Sequence, residues 1–179
     1  TGFPPFTEKG IVFFVAYVFH PATLYSQEAF SNMGLIGWIH LNFGTIVVGQ
    51  TKTILADNTV EVSSGSKIGT TNRGRFSLEA QVGSNVTLTF VLPENLTTTE
   101  GALLPIEFDW AGASEGPIAY EDGDGALYKI IPGTSYQILG FNSGSEMPTS
   151  NVLVGGRVNA TGVTPGTYSG TITLSAIYN

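Results

Sequence analysis

The C-terminal run TYSGTITLSAIYN constrains the fold more than any other stretch of this chain. Its larger apolar side chains fall on one face of an extended segment, and they are Tyr168, Ile172, Leu174, Ala176 and Tyr178. Serine and threonine occupy most of the positions between them. A strand produces this alternation and a helix does not. The run therefore predicts a half-buried β-strand, and the TPG triplet before it predicts the turn that opens it.

Shorter runs of the same kind recur upstream. Residues 51–55 and 59–62 flank the triplet ADN, and residues 77–81 and 86–90 flank VGSN, so each pair predicts a β-hairpin. Further strands are predicted at residues 104–110, 126–131, 136–139 and 151–158. The sequence therefore predicts an all-β fold, an immunoglobulin-like antiparallel β-sandwich with little helix.

Composition limits the classes of function. The 179 residues contain no cysteine, which excludes disulfides and thiolate chemistry. Net charge is -7, and the seven Lys and Arg residues are scattered, so no nucleic-acid-binding stripe is expected. Eight of the 14 acidic residues fall between Glu94 and Asp124, which indicates an acidic surface region.

Three segments carry a family resemblance: LNFGTIVVG with its Phe43-Gly44 step, the strand with the Gly155-Gly156 pair, and the closing GTYSG strand. Residues 35–179 resemble a family of secreted bacterial domains of unknown function, related in pattern to spore-coat and chaperone–usher pilin subunits. The resemblance implies an immunoglobulin-like sandwich, a secreted or cell-surface location on a bacterium, and assembly by strand donation. Glycines within these strands are expected at a bulge or where a large neighbour packs closely.

The N-terminal stretch IVFFVAYVF, residues 11–19, consists of nine consecutive apolar residues. Nine residues are far fewer than the roughly 20 that a membrane-spanning helix needs. Two alternatives stay open. Residues 1–26 are a retained signal-like segment, with Lys9 before the apolar run and Pro21 after it. Otherwise the run is a strand for another molecule's core, and residues 1–32 form an extension of the sandwich domain at 33–179.

The donor-strand hypothesis assigns alternate large side chains to one face of the extended segment, and they are Ile11, Phe13, Val15, Tyr17 and Phe19. The predicted acceptor groove lies beside the C-terminal strand, at Tyr168, Ile172, Leu174 and Tyr178. The leading functional hypothesis is then a structural subunit of an extracellular pilus-like filament, whose partners are copies of itself. The alternative is a monomeric cell-surface adhesin or binding module, carbohydrate-binding or calcium-dependent, with a processed N-terminal signal.

Catalytic patterns are sparse. His20 and His40 are the two histidines, and no GxSxG elbow, P-loop or dinucleotide fingerprint occurs. Glu107 and Asp109 share one face of a predicted strand, where alternation alone places polar residues outward. The sequence is therefore interpreted as that of a protein that is not an enzyme.

Two further patterns are weak. Asp122 and Asp124 lie in the glycine-rich loop YEDGDGALY, where alternate carboxylates can bind calcium, although Asp-Gly is also a common turn pair. An EF-hand is not completed, and an acidic turn is the favoured interpretation. Sequons occur at Asn85, Asn95 and Asn159, and a bacterial chain is expected to leave them unmodified.

Overall fold

The computed structural model describes residues 11–14, 24–25, 34–81, 83–109, 116–122, 124–131, 135–137 and 149–178. Seventeen strands and no helix lie in these ranges. In chain order the strands are β1 (Ile11–Phe14), β2 (Leu24–Tyr25), β3 (Gly34–Ile39), β4 (Gly44–Val47), β5 (Thr51–Ile54), β6 (Val60–Val62), β7 (Gly74–Glu79), β8 (Asn85–Val91), β9 (Asn95–Thr97), β10 (Leu103–Glu107), β11 (Ile118–Glu121), β12 (Leu127–Lys129), β13 (Ser135–Gln137), β14 (Thr149–Val154), β15 (Gly156–Asn159), β16 (Thr167–Tyr168) and β17 (Thr173–Tyr178). None of the described residues belongs to a helix long and apolar enough to cross a membrane.

The strands form four sheets. Sheet I has the order β16-β1-β4, and sheet II the order β6-β5-β15-β10-β9. Sheet III has the order β12-β11-β14-β7-β3, and sheet IV the order β13-β8-β17-β2. All strand pairs are antiparallel except β1 with β16 and β2 with β17. Both parallel pairs join the N-terminal segment to the C-terminal strands.

Among the described residues, two large apolar cores lie between these sheets, and a small cluster of Ala56, Ala119 and Leu153 is separate from them. Core 1 is enclosed by sheets III and IV, and its buried residues are Phe76, Leu78, Ala80, Val86, Leu88, Ile118, Tyr120, Ile130, Val152, Val154, Leu174 and Ala176. Core 2 is enclosed by sheets I and II, and its buried residues are Leu41, Phe43, Ile46, Ile54, Leu96, Leu104, Ile106, Val158, Ala160 and Tyr168. Along the strands, side chains that point into a core alternate with side chains that point away from it, as in other β-sandwiches.

Long strands connect the two cores by changing sheets partway along. The segment from β14 to β15 passes from sheet III to sheet II at Gly155. A Cβ at this glycine would lie 2.0 Å from the backbone oxygen of Ile54, so no other residue fits without a backbone shift. At Gly156 a Cβ would lie 3.2 Å from the ring of Phe43. The expectation of close packing at this glycine pair is thus confirmed.

The structure confirms the predicted all-β sandwich and corrects one local prediction. β5 and β6 pair as a hairpin around the ADN turn, as expected, and Asn58 has a φ of 71° there. The hairpin predicted around VGSN is wrong. β7 pairs with β3 and β14, while β8 pairs with β13 and β17, so the chain crosses between the two sheets that enclose core 1.

Candidate functional site

The candidate site is the position of β1 in the middle of sheet I. β1 pairs antiparallel with β4, where Phe13 lies opposite Thr45 and Phe14 opposite Gly44. On its other side β1 pairs in parallel with β16, where Phe14 lies opposite Tyr168. Part of the apolar N-terminal run is therefore extended and has a strand on each side.

The strands beside β1 both bury side chains in core 2. Ile46 of β4 and Tyr168 of β16 have no exposed surface, and Phe43 just before β4 is also fully buried. Because β1 lies between β4 and β16, it occupies a strand-wide position over the same core. We call this position the groove, bordered by Gly44–Val47 and Thr167–Tyr168.

The outer edges of the two bordering strands are already occupied. Thr45 of β4 forms an isolated bridge with Ile68, and Ser169 after β16 forms one with Thr97. The second bridge has two backbone hydrogen bonds, of 2.8 and 2.9 Å. Within the described part of the chain, β4 and β16 can thus accept a strand only at the edges that face each other.

The described parts of the N-terminal segment pair with C-terminal strands at two places. Phe13 pairs with Thr167, and Leu24 pairs with Ala176 further along. Both pairings are parallel, the first in sheet I and the second in sheet IV. The segment therefore runs parallel to the C-terminal strands at both positions where it is described.

The structure brings some of the predicted acceptor residues to β1 and places others elsewhere. Tyr168 is next to β1, whereas Leu174 is buried in core 1, where its strand pairs with Phe90 of β8. Ile172 is partly buried against both cores. Tyr178 pairs with Val86. Of the predicted donor residues, Ile11 and Phe13 lie in β1, while Val15, Tyr17 and Phe19 lie outside the described residues.

Sequence reasoning missed β4 as the antiparallel partner of β1. The LNFGTIVVG segment contains β4 and carried the family resemblance, but its alternation does not identify its partner. Gly44 has a φ of 63°, and its N–H donates to Oδ1 of Asn42 at 2.8 Å. This bend at the Phe43-Gly44 step lies where the chain passes from β3 of sheet III to β4 of sheet I.

Two polar side chains, one in β5 of sheet II and one just before it, are buried next to β4. Lys52 of β5 has no exposed surface, and its Nζ donates to the carbonyl oxygens of Thr45 and Ile68, each at 3.1 Å. Gln50 is 3% exposed, donates to the carbonyl oxygen of Ser64 and accepts from the N–H of Val47. Burial lowers the pKa of Lys52, and the nearby charge of Lys67 lowers it further.

The acidic loop has the hydrogen bonds of a turn. Oδ1 of Asp122 accepts from the backbone N–H groups of Asp124 and Ala126, at 3.1 and 2.8 Å. The hydrogen bond and negative charge of Asp122 raise the pKa of Tyr128. No group of three or more metal-ligating side chains occurs among the described residues. Calcium binding at Asp122 and Asp124 remains a prediction.

The remaining polar residues considered in the sequence analysis do not form a common site among the described residues. His40 is exposed after β3, and His20 is outside the described residues. Oε2 of Glu107 accepts from Nε of Arg157 at 2.9 Å, so this carboxylate is engaged in an ion pair across β10 and β15. Asp109 borders a cavity of about 560 Å³ at the junction of the cores, together with Glu94, Phe108 and Lys129.

The fold and the groove define an all-β sandwich domain whose N-terminal segment supplies a strand to it. The chain belongs to the family described as a domain of unknown function, DUF4402, whose model matches residues 38–178. The matched region contains both edges of the groove, whereas β1 and β2 precede it. No curated protein matches the sequence.

Proposed function

We propose that this protein is a non-enzymatic structural subunit of an extracellular pilus-like filament on a bacterial surface. Residues 11–19 of one copy enter the groove of the next copy, and repetition of this contact builds the polymer. One observation carries the proposal. β1 is the middle strand of sheet I, yet it comes from outside the family domain at residues 38–178.

The groove needs a strand for physical reasons. Without β1, the facing edges of β4 and β16 expose unpaired backbone groups beside the apolar residues of core 2. Bare strand edges promote uncontrolled association. A strand that pairs on both sides satisfies these groups and excludes water from the core, which is the basis of recognition by strand addition.

The segment is suited to exchange between copies. In the single chain, β1 fills its own groove, and this closed form corresponds to an unassembled subunit. Residues 26–33 separate Tyr25 from β3, and when extended they span about 26 Å. That length reaches an adjacent copy in contact. The same strand pairings form whether β1 enters its own groove or that of a neighbour. Exchange between copies therefore loses few contacts.

Engineered cysteines test whether β1 comes from a neighbouring copy. The chain has no cysteine, so every disulfide would be engineered. Phe13→Cys and Thr45→Cys would be made as separate variants, refolded together from denaturant and oxidised. Phe13 and Thr45 are register partners, and cysteines opposite each other in paired strands approach disulfide distance. The proposal predicts a disulfide-linked dimer containing one chain of each variant.

The matched control pairs Phe13→Cys with Val47→Cys. Val47 lies opposite Ile11, two residues out of register, and should give much less of the mixed dimer. A double variant with both Phe13→Cys and Thr45→Cys reports insertion within one chain. If the double variant crosslinks internally while the mixed single variants do not, the chain completes its own fold and the proposed filament joint does not exist.

A second candidate function is a monomeric surface binding module for a carbohydrate or a calcium-dependent ligand. The cavity of about 560 Å³, with apolar walls and the charged side chains of Glu94, Asp109 and Lys129, favours it. Size measurement distinguishes the two functions. Uniform particles of 18.9 kDa at high concentration support the module, and filaments in negative-stain images support the subunit.

A further inference from the structure

A buried lysine contacts β4, one of the two strands that border the groove. Lys52 extends from β5 in sheet II, and its ammonium donates hydrogen bonds to the carbonyl oxygens of Thr45 in β4 and of Ile68 in the loop between β6 and β7. Gln50, just before the same strand, also contacts both regions through Val47 and Ser64. Two buried polar side chains thus join β4 to the loop at residues 63–70.

Burying a charged ammonium group in a protein interior lowers stability unless the charge is compensated. Transfer of a charge out of water is costly unless the charge is paired, and no carboxylate pairs with Lys52 among the described residues. Methionine has a similar length and carries no charge to desolvate. Apolar packing alone therefore does not explain why a lysine occupies position 52. What a methionine there could not provide is the pair of hydrogen bonds to the two carbonyl oxygens.

Those contacts act on the outer edge of β4. Thr45 bridges Ile68 there, and the backbone approaches closely, since a Cβ at Gly69 would lie 3.1 Å from the backbone nitrogen of Thr45. The ammonium binds the carbonyl oxygens on both sides of this bridge. It fixes β4 against the loop, so the outer edge is closed and the inner edge keeps one position.

We infer that Lys52 is a positioning residue that holds β4 in the register that receives the apolar strand in the groove. The inference concerns the site on which the proposed function rests, but it applies equally whether the strand comes from the same chain or from a neighbour. Because a preorganised edge loses less freedom on pairing, strand capture is stronger with the ammonium in place.

Hydrogen exchange of the full chain tests this role. Lys52→Met should lower the protection of amides at 11–14 and 44–47 by about tenfold or more. Protection of β7 and β14 amides, which surround core 1, should stay unchanged. Lys67→Met is the matched control, because this exposed lysine contributes charge near the site without contacting β4 through a described hydrogen bond. It should leave protection unchanged at both places.

Two outcomes would overturn the inference. An equal loss of protection around both cores would make Lys52 an ordinary structural residue, and unchanged protection of β1 and β4 would make its contacts irrelevant to the groove. If Lys52→Met fails to fold, Gln50→Leu provides the second test, with the same local pattern expected at smaller amplitude. The cysteine-mixing result is independent, so failure of the filament joint and failure of the lysine's role are distinguishable.

Discussion

The two cores of this sandwich have the same kind of interior but are completed differently. The buried side chains of core 1 all come from residues within the family domain at 38–178, and β2, which precedes that domain, pairs only at the edge of sheet IV, beside β17. Core 2 lies under a sheet whose middle strand, β1, precedes that domain. In core 2, therefore, a central strand position over the core is filled by a segment from outside the family domain, which is the feature on which the proposed strand exchange rests.

The largest expected effect breaks both cores at once. Gly155 lies where β14 passes into β15, and Gly155→Val would force a side chain against the backbone oxygen of Ile54. Because backbone must move, the free energy of unfolding should fall by about 4 kcal/mol or more. Urea denaturation followed by circular dichroism measures it.

Gly156→Ala is the matched control for this junction. Its added methyl would meet the ring of Phe43 at 3.2 Å, and a side chain can shift where backbone cannot. The cost should be no more than about 1–3 kcal/mol. A loss for Gly155→Val as small as that for Gly156→Ala would show that the backbone at Gly155 is not tightly packed.

A matched pair of leucines compares the two cores directly. Leu88 in core 1 and Leu104 in core 2 are at most 1% exposed, so truncation to alanine should destabilise either by about 2–5 kcal/mol. Only Leu104→Ala should also reduce assembly, because its cavity lies in the core that the groove covers. Thermal unfolding and sedimentation measure the two effects.

The control for the loss of assembly is Leu88→Ala. If Leu88→Ala, at equal loss of stability, reduces filament yield as much as Leu104→Ala does, then assembly depends on overall stability. Core 2 would then have no special connection to the proposed joint.

Alkaline pH provides a third and smaller effect, at Tyr168 of core 2. Its hydroxyl donates to the carbonyl oxygen of Thr164, and burial raises the pKa of this phenol above its usual value of 10.0. The folded state keeps the proton that the unfolded state releases, so stability is full below pH 10 and falls as pH rises past it. Tyr168→Phe should be less stable at pH 7 by about 0.5–1.5 kcal/mol, with a shallower alkaline decline.

Thermal unfolding between pH 8 and 11 measures this difference. Lys52, whose pKa is lowered, has the opposite slope, since its unfolded state binds the proton more strongly and stability rises with pH up to about 10.5. The comparison of Tyr168→Phe with wild type removes that shared background. Parallel pH profiles would show that the Tyr168 phenol does not titrate differently in the folded state.

Part of this architecture could be predicted from the sequence. The period-two pattern correctly placed Tyr168, Leu174 and Ala176 on a buried face. The pattern could not show that Tyr168 and Leu174 lie in different cores, because the change of sheet occurs between two strands of the same alternation. Local patterning indicates which side chains are buried but not the neighbours that bury them.

The failures have the same physical origin. VGSN has the composition of a hairpin turn, yet β8 pairs with β17, far away in sequence, and register between distant strands is set by the whole core. Lys52 lies in a strand reading TKTI, where lysine is ordinarily exposed. Its burial depends on carbonyl oxygens at Thr45 and Ile68 that the sequence does not bring together.

The smallest expected effect compares an ion pair beside each core. Glu121 near core 1 is 3.6 Å from Nη2 of Arg73 and accepts from Nδ2 of Asn151 at 2.7 Å, with both ionic side chains at most 24% exposed. Glu107 near core 2 pairs with Arg157, and its own side chain is 52% exposed. Glu121→Gln should cost about 1 kcal/mol and Glu107→Gln about 0.5 kcal/mol or less, because exposed pairs are weak. Urea denaturation at 0.05 M and 1 M NaCl measures both, and salt should remove most of the Glu107 effect while part of the Glu121 effect persists. Equal costs at both salt concentrations would show that the two halves of the sandwich do not differ in how they shield charge, leaving the origin of β1 as the feature that separates them.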